Sequence, residues 1–172
     1  MKEAGFDKSN PLNFTLLYNT SENHKKIALA ASSLWQKNLG GLVKVSLENQ
    51  EWKTYLDTRH QGNYQVTRAG WCADYNEAST FLNYFLSTSS NNTAFYKSAE
   101  FDKLLAETYL SETDEKRAEI YAKLEAQLAS DAALVPVYYY VDPRMVKPYV
   151  KGFPINHPGK NVYLKDVYLI KH

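Results

Sequence analysis

Three stretches in the first half of the chain have the hydrophobic pattern of β-strands. Residues 12–18 are rich in aromatic and aliphatic side chains, and apolar residues alternate with polar ones at 43–47. Residues 64–72 form a third stretch of this type. Because segments with helical spacing separate the three strands, we expect the strands to lie parallel in one sheet.

Apolar side chains at helical spacing lie between these strands and after them. The first helix is capped by Thr20 or Ser21, ends at Gly40 and carries its apolar side chains on one face. Those side chains are Ile27, Ala31, Leu34 and Trp35. The other helices are expected over residues 51–60, 77–86, 101–109 and 113–129. The order β-α-β-α-β followed by helices predicts an α/β fold, with a mainly parallel sheet flanked by helices.

The last part of the chain has a different pattern, from which we expect a boundary near Asp142. Residues 134–141 have the composition of a strand, and Pro136 places that strand at a sheet edge because proline lacks an N–H donor. Beyond it the chain has short strand-like runs between prolines and no helical period. We therefore expect residues 1–141 to form one unit and residues 142–172 a segment without a core of its own.

Composition narrows the class of protein. The chain has 172 residues, of which 20 are Lys or Arg and 19 are Asp or Glu, for a formal net charge of +1. A nucleic-acid-binding domain would normally be basic, so no nucleic-acid partner is expected. Fourteen tyrosines bring the aromatic content to 14%. Tyrosines at this density suit an adaptable binding surface, and they suit equally well the padding of a sheet.

The sequence contains no pattern typical of an enzyme. Glycine-rich phosphate-binding loops and the G-x-S-x-G nucleophile motif are absent, and the four histidines lack the spacing of metal ligands. We therefore expect no catalytic residue, no metal and no cofactor. Cys72 is the only cysteine, so it is either a reduced thiol or half of a disulfide whose other half lies elsewhere.

A more specific signal comes from groups expected at the carboxyl ends of the strands, where open α/β sheets bind ligands. His24 lies in the first turn of the first helix, Arg68 in the third strand, and Asp74 just after it beside Trp71. A cationic spot, a carboxylate and aromatic walls suit a ligand with an ammonium end and a carboxylate end. Plainer interpretations are a solvated basic turn at His24, an internal ion pair at Arg68 and a helix cap at Asp74.

Five strings of the sequence resemble the periplasmic oligopeptide-binding proteins, which are receptors of oligopeptide ABC importers within the extracellular solute-binding family. These strings are LLYNTSENHKK, LENQEWKTYLDTRHQG, RAGWCADYNE, SSNNTAFYKS and VPVYYYV. Members of the family are about three times longer than this chain, which resembles their carboxyl-terminal third. The resemblance implies one lobe of a two-lobed periplasmic binding protein, in which residues 142–172 return to the first lobe.

The resemblance also implies how the ends of a bound peptide are held. Asp74 resembles the carboxylate that pairs with the α-ammonium group of the ligand. Arg68 and His24 resemble the groups that meet the carboxylate of the ligand. In the family the peptide backbone lies as an extra strand between the lobes, so that main-chain hydrogen bonds give affinity without sequence demands.

Five further residues take expected roles from the same resemblance. Trp52 and Trp71 resemble walls of side-chain pockets, and Arg59 resembles a polar contact in such a pocket. Tyr140 resembles a contact at the junction of the lobes. Cys72 resembles a cysteine that is bridged to another one upstream in the family, so in this chain we expect an exposed free thiol.

The expected partners follow from the resemblance as well. They are short peptides, the membrane subunits of an oligopeptide ABC importer and the missing N-terminal lobe, and the resemblance implies a periplasmic location for this chain. A relative that captures murein peptides is similar over the same region. Two interpretations from other classes stay open at this point: a standalone α/β enzyme, and a module that docks on an importer without binding solute.

Overall fold

Three parallel strands organise residues 1–70, the first of two units into which the chain divides at Gly70 and Trp71. The computed structural model describes residues 1–154 and 162–171. In the first unit, β1 (Leu12–Asn19) lies between β2 (Val43–Gln50) and β3 (Val66–Thr67). β1 and β2 pair over eight residues, from Leu12 opposite Val43 to Asn19 opposite Gln50. The predicted α/β fold with a parallel sheet is confirmed.

Two helices pack against this sheet, and its central strand is buried on both faces. Leu16, Leu17 and Tyr18 are consecutive in β1 and all buried, as expected for a strand that is covered on two sides. Leu16 and Tyr18 pack on α1 (Glu22–Asn38) in a cluster that includes Ala28. The other helix of this unit, α2 (Trp52–His60), also contacts β1 and buries Tyr55.

The first helix differs from its prediction in two details. Ser21 is its N-cap residue, but the Ser21 side chain makes no capping hydrogen bond. Leu34, predicted on the buried face, is 55% exposed, whereas Ser32 is buried. The prediction of Leu34 was therefore wrong, because the helix turns its Ala28 and Ser32 edge towards the sheet and leaves Leu34 in water.

The third strand is shorter than predicted. Residues 64–72 were expected to be extended throughout, but β3 comprises only Val66–Thr67, so the prediction that Arg68 lies within the strand was wrong. The Gln65 side chain accepts the Thr15 N–H at 2.9 Å, where a longer strand would supply a backbone carbonyl. The Arg68 N–H still donates to the Leu17 carbonyl at 2.8 Å, after which the pairing ends.

The second unit, residues 71–172, is built on helices. A short helix, α3 (Ser79–Leu82), continues into a 3₁₀ turn at Asn83–Phe85, so the single helix predicted over 77–86 is shorter and broken. The two predicted helices that follow are confirmed as α4 (Ala99–Thr108) and α5 (Asp114–Ser130). The core of this unit is made by five buried side chains: Leu82, Phe101, Leu105, Leu124 and Leu128.

Two helix ends have the same hydrogen-bond pattern with different residues at the critical position. After α1, the N–H groups of Gly40 and Gly41 donate to Lys37 and Gln36, both at 3.3 Å. After α5, the N–H groups of Ala132 and Ala133 donate in the same way to Ala129 and Leu128, at 3.2 and 3.0 Å. Both ends are Schellman motifs, in which one residue adopts a positive φ. Gly40 has φ +60°, and Ala132 has φ +52° despite its Cβ.

Residues 134–141 do not form the predicted strand. The segment has no regular secondary structure and pairs with no strand in the described part of the chain, and Tyr139 and Val141 are 97% and 83% exposed. Pro136 contributes to this outcome because it has no N–H to give to a ladder. Tyr109, predicted on the buried face of its helix, lies beyond the end of α4 and is 66% exposed.

Among residues 142–154 and 162–171, the predicted strand-like runs form one short antiparallel pair. β4 (Val150–Lys151) pairs with β5 (Tyr168–Leu169). His157 and His172 lie outside the described residues, as does part of the predicted segment 142–172. The boundary expected near Asp142 stays a prediction.

Candidate functional site

The carboxyl edge of the sheet in the first unit gathers three of the predicted site residues. His24 is in the first turn of α1, which follows β1, and Trp52 is the first residue of α2, which follows β2. Arg68 comes directly after β3. Because parallel strands end at the same edge, the topology itself brings these side chains to one side of the unit, where ligands bind in open α/β sheets.

His24 is oriented by the end of the central strand. Its Nδ1 donates to Oδ1 of Asn19 at 2.9 Å, and Asn19 is buried at the last position of β1. Partial burial lowers the pKa of His24, and the positive charge of Arg68 lowers it further, while a hydrogen bond to the Asn19 backbone opposes the shift. The imidazole is therefore mainly neutral at pH 7, whereas the Arg68 guanidinium beside it is positively charged.

Tyr55 connects the remaining residues of the first unit, and the sequence analysis missed it. The Tyr55 hydroxyl donates to the backbone carbonyl of Arg68. The Trp52 ring stacks on Tyr55 with centroids 5.7 Å apart, and the Arg59 guanidinium lies 5.3 Å from the centre of the same ring. The sequence spacing is i, i+3 and i+7 for Trp52, Tyr55 and Arg59. This spacing places the three side chains on one helix face and was visible in the sequence.

The first-unit residues differ in how accessible they are. Trp52 is 53% exposed and could contact a ligand directly, whereas Arg59 is buried against Tyr55. The role of Arg59 as a pocket contact stays a prediction. The Arg59 guanidinium does contact the Tyr55 ring, whose hydroxyl supports the Arg68 backbone.

Three further predicted residues lie in the irregular segment that opens the second unit. The Trp71 ring meets Tyr84 edge-on, with centroids 5.3 Å apart, and stays partly exposed. Cys72 is an exposed free thiol, as predicted. The Asp74 N–H donates to the hydroxyl of buried Thr80 at 3.0 Å, and the Asp74 side chain is on the surface.

The alternative interpretation of Asp74 as a helix cap is wrong. The next helix, α3, begins at Ser79 with Ala78 as its N-cap residue, four positions beyond Asp74. The carboxylate that serves the start of this helix is Glu77, whose Oε2 accepts the Ser79 N–H at 2.8 Å. No hydrogen bond or ion pair to the Asp74 carboxylate occurs among residues 1–154 and 162–171.

Glu77 is the second residue that the sequence analysis missed. Besides the Ser79 N–H, its carboxylate accepts a hydrogen bond from the Tyr121 hydroxyl and lies 3.9 Å from Nε of Arg117. Burial alone would raise the pKa of Glu77, but the hydrogen bonds from Ser79 and Tyr121 and the charge of Arg117 outweigh it and lower the pKa. Burial and the same hydrogen bond raise the pKa of Tyr121. Glu77 is therefore a charged anchor between its loop and α5.

Tyr140 lies in the exposed segment 135–141. Its ring meets Tyr138 edge-on, with centroids 5.0 Å apart, and both rings are about half exposed. The expected contact of Tyr140 at a lobe junction stays a prediction. Among the described residues, no group of three His, Cys, Asp or Glu side chains is placed to hold a metal ion. None of the helices described has both the length and the apolar composition that a membrane crossing needs.

Comparison with known proteins identifies the class. Residues 1–93 match the family of bacterial extracellular solute-binding proteins, family 5, in its middle region. The chain therefore belongs to this family.

Individual relatives match the chain from end to end. The periplasmic oligopeptide-binding protein OppA of Salmonella typhimurium is 60% identical over 172 residues, which is 100% of this chain and 31% of that protein. A crystal structure of Haemophilus influenzae OppA in complex with the peptide RPPGFSPFR has a TM-score of 0.89 at 57% identity, covering 99% of this chain and 33% of that one. The periplasmic murein peptide-binding protein MppA of Escherichia coli is 46% identical over 172 residues, 100% of this chain and 32% of that protein. This chain thus spans about a third of the length of the curated relatives it matches.

Proposed function

We propose that this chain is part of a periplasmic receptor that captures short peptides for an oligopeptide ABC importer. One observation carries the proposal: 60% identity to an oligopeptide-binding protein, extending over all 172 residues. The relatives are solute-binding proteins rather than enzymes. Capture without chemistry needs no cofactor, and the proposed receptor uses none.

The proposal assigns the chain to the carboxyl-terminal third of such a receptor. Residues 1–141 would form most of the second lobe, and residues 142–172 would return to the first. The N-terminal lobe and the membrane subunits of the importer are then the protein partners. The exposed and apolar segment 135–141 supports this assignment, because a surface of that composition is suited to being covered by another part of the receptor.

Within the second lobe, we propose for each residue the role that the resemblance to the family implies. Asp74 pairs with the α-ammonium group, which its exposed carboxylate allows since no described group occupies it. Arg68 and His24 meet the carboxylate end, a role supported by the charge of Arg68 and by the ordered imidazole beside it. Trp52 and Trp71 offer partly exposed rings as pocket walls.

The remaining assignments concern the borders of the site. Arg59 is proposed as a polar pocket contact and Tyr140 as a contact at the lobe junction. Cys72, an exposed thiol here, is proposed to be bridged to a cysteine of the first lobe in the complete receptor. Such a bridge would tie the lobes together next to the ammonium pocket.

The test uses a chimera in which this chain replaces the matching third of the Salmonella relative. Calorimetry compares a free peptide with its N-acetylated form. Removing one partner of a shielded charge pair costs about 2–5 kcal/mol, so Asp74→Asn should weaken binding of the free peptide roughly 30-fold to several thousand-fold. Asp57→Asn, at an exposed position on α2, is the matched control and should leave the affinity unchanged.

Two results would contradict this reading of Asp74. The wild-type chimera could bind both peptides equally, or Asp74→Asn could bind the free peptide as tightly as Asp74 does. A chimera that folds but binds no peptide would instead support a module that docks on an importer without solute.

A murein peptide is the second candidate ligand, because the murein peptide-binding relative also matches over the whole chain. Its identity of 46% is lower than the 60% of the oligopeptide receptor, which favours general peptides. The same calorimetry with a murein tripeptide decides between them. Tight binding of the murein tripeptide together with weak binding of other peptides would make a murein peptide the favoured ligand.

A further inference from the structure

The loop that carries Asp74 is held at both of its ends by side chains rather than by a sheet. We define the Asp74 loop as residues 74–78. At its start, the Asp74 N–H donates to the Thr80 hydroxyl at 3.0 Å, and Thr80 is buried. At its end, the Glu77 carboxylate accepts the Ser79 N–H at 2.8 Å. The conformation of the Asp74 loop therefore depends on a few polar contacts.

Glu77 fastens this loop to a second element. Oε1 of Glu77 accepts the hydroxyl hydrogen of Tyr121 and lies 3.9 Å from Nε of Arg117, and both residues are on α5. α5 also supplies Leu124 and Leu128 to the core of the second unit. Through one carboxylate, the Asp74 loop is thus tied to a helix that contributes to the core of that unit.

The middle of the Asp74 loop has a further polar attachment. The Tyr75 hydroxyl lies 2.9 Å from the Ser79 hydroxyl and accepts a hydrogen bond from the Asn83 amide at 3.1 Å. Ser79 thereby joins the Tyr75 contact to the Glu77 contact. Loss of Glu77 would loosen Ser79 and, with it, the Tyr75 side chain that neighbours Asp74.

We propose that Glu77 is a positioning residue, which holds the Asp74 loop on α5 so that the Asp74 carboxylate meets the ammonium group of a peptide. The proposal rests on the proposed function for the role of Asp74, but not for the fastening of the loop. Glu77 does not touch the ligand, and its effect on binding passes through Asp74.

Glu77→Gln is the informative variant because it keeps the size of the side chain. An amide has one acceptor oxygen where the carboxylate has two, so one of the two donors, Ser79 N–H or Tyr121 hydroxyl, loses its acceptor, and the charge facing Arg117 disappears. Glu119→Gln makes the same change at an exposed position of α5 and is the matched control.

The first measurement needs no peptide and uses the chain itself. The observable is amide hydrogen exchange of Asp74, whose N–H is bonded to Thr80. Exchange should become about tenfold faster in Glu77→Gln, because that variant loses a hydrogen bond to a charged group. Exchange should stay unchanged in Glu119→Gln. Tyr121→Phe removes only the hydroxyl donor and should accelerate the same amide to a smaller degree. Unchanged exchange in both Glu77→Gln and Tyr121→Phe would overturn the proposal.

The second measurement uses the chimera and separates positioning from general loosening. Glu77→Gln should weaken binding of the free peptide about tenfold and leave binding of the N-acetylated peptide unchanged, because only the free peptide has an ammonium group for Asp74. Equal weakening of both peptides would overturn the proposal and assign Glu77 a merely structural role. If the wild-type chimera fails to distinguish the two peptides, the proposed function of Asp74 fails, and the exchange measurement alone decides whether Glu77 holds the loop.

Discussion

The two units hold their candidate residues by different means. In the first unit, a parallel ladder of eight paired positions places the ends of β1 and β2 side by side, and His24 and Trp52 follow directly from these ends. In the second unit, Asp74 lies in a loop that is fixed by the side chains of Thr80 and Glu77. Position is a property of the backbone in one unit and of a few polar side chains in the other.

This difference affects how each unit should tolerate change. A backbone ladder survives most single substitutions, because the N–H and C=O groups that build it belong to every residue but proline. A side-chain network loses a defined part of its geometry with each substitution, since no other group replaces the missing donor or acceptor. The site residues of the second unit should therefore be the more sensitive to neighbouring mutations.

The largest expected effect is a loss of stability on core truncation, which should be similar in the two units. Leu17 of β1 and Leu105 of α4 are both buried. Truncating either to alanine should lower the free energy of unfolding of its own unit by about 2–5 kcal/mol, because each leaves a cavity in a packed core. Denaturant unfolding, with amide exchange to locate the loss, measures this effect.

The control for both truncations is Leu29→Ala on the exposed side of α1, which should change stability by less than about 0.5 kcal/mol. A loss at Leu17 well below that at Leu105 would mean that the sheet unit repacks around the missing side chain.

A smaller effect, of opposite sign in the two units, is expected at the helix ends. Gly40 and Ala132 occupy the same position of two Schellman motifs at positive φ. Gly40→Ala should destabilise by about 1 kcal/mol through conformation alone, because a Cβ there meets no atom within 4 Å. Ala132→Gly should stabilise by up to about 1 kcal/mol for the same reason.

Thermal unfolding of the two variants measures both changes. Ala129→Gly, within α5, is the control for added backbone freedom and should destabilise by about 1 kcal/mol. A destabilising Ala132→Gly would show that contacts of the Ala132 methyl group outweigh the strain at positive φ.

The smallest expected effect concerns acid. Folding lowers the pKa of His24 from its ordinary value of 6.5. At a pH between the folded value and 6.5, the unfolded chain therefore binds more protons than the folded chain. Stability should fall as the pH drops below about 6.5. The pKa of Glu77 is also lowered, and its contribution is present above the ordinary value of 4.5 and lost as the pH falls through the folded value. Acid should therefore weaken the first unit at a higher pH than the second.

Titration of the His24 ring by NMR and stability curves of His24→Gln between pH 7.5 and 5 provide the check. Over that range the stability difference between wild type and His24→Gln should shift against the wild type as the pH is lowered. A His24 pKa at or above 6.5 would contradict the expectation.

The elements that could be predicted from the sequence are those with a regular spacing of apolar residues. β1, β2, α1, α2, α4 and α5 were each predicted close to their observed bounds, because alternation and helical spacing report directly on burial. The parallel sheet followed from the order of these elements. The positions of His24 and Trp52 at one edge of the sheet followed as well, since each lies in the first turn of the helix after a strand.

What the sequence did not predict depends on contacts between distant residues. Just before β3, the Gln65 side chain accepts the N–H of Thr15, fifty positions away, and no local pattern signals this. Glu77 meets Tyr121 across forty-four positions. Residues 134–141 have the composition of a strand, yet a strand also needs a neighbour to pair with, and composition does not state whether one exists.

The exposed segment 135–141 has a consequence for handling the chain at high concentration. Residues 135–141 carry no charge, and all of them except Pro136 are valine or tyrosine, which makes the kind of stretch that pairs with its own copies in cross-β aggregates. Pro136 is the one residue that interrupts it, because it lacks a donor for an intermolecular ladder. Self-association of the chain in storage is therefore expected to start at Val137–Val141, and a lysine at the fully exposed Tyr139 would oppose it.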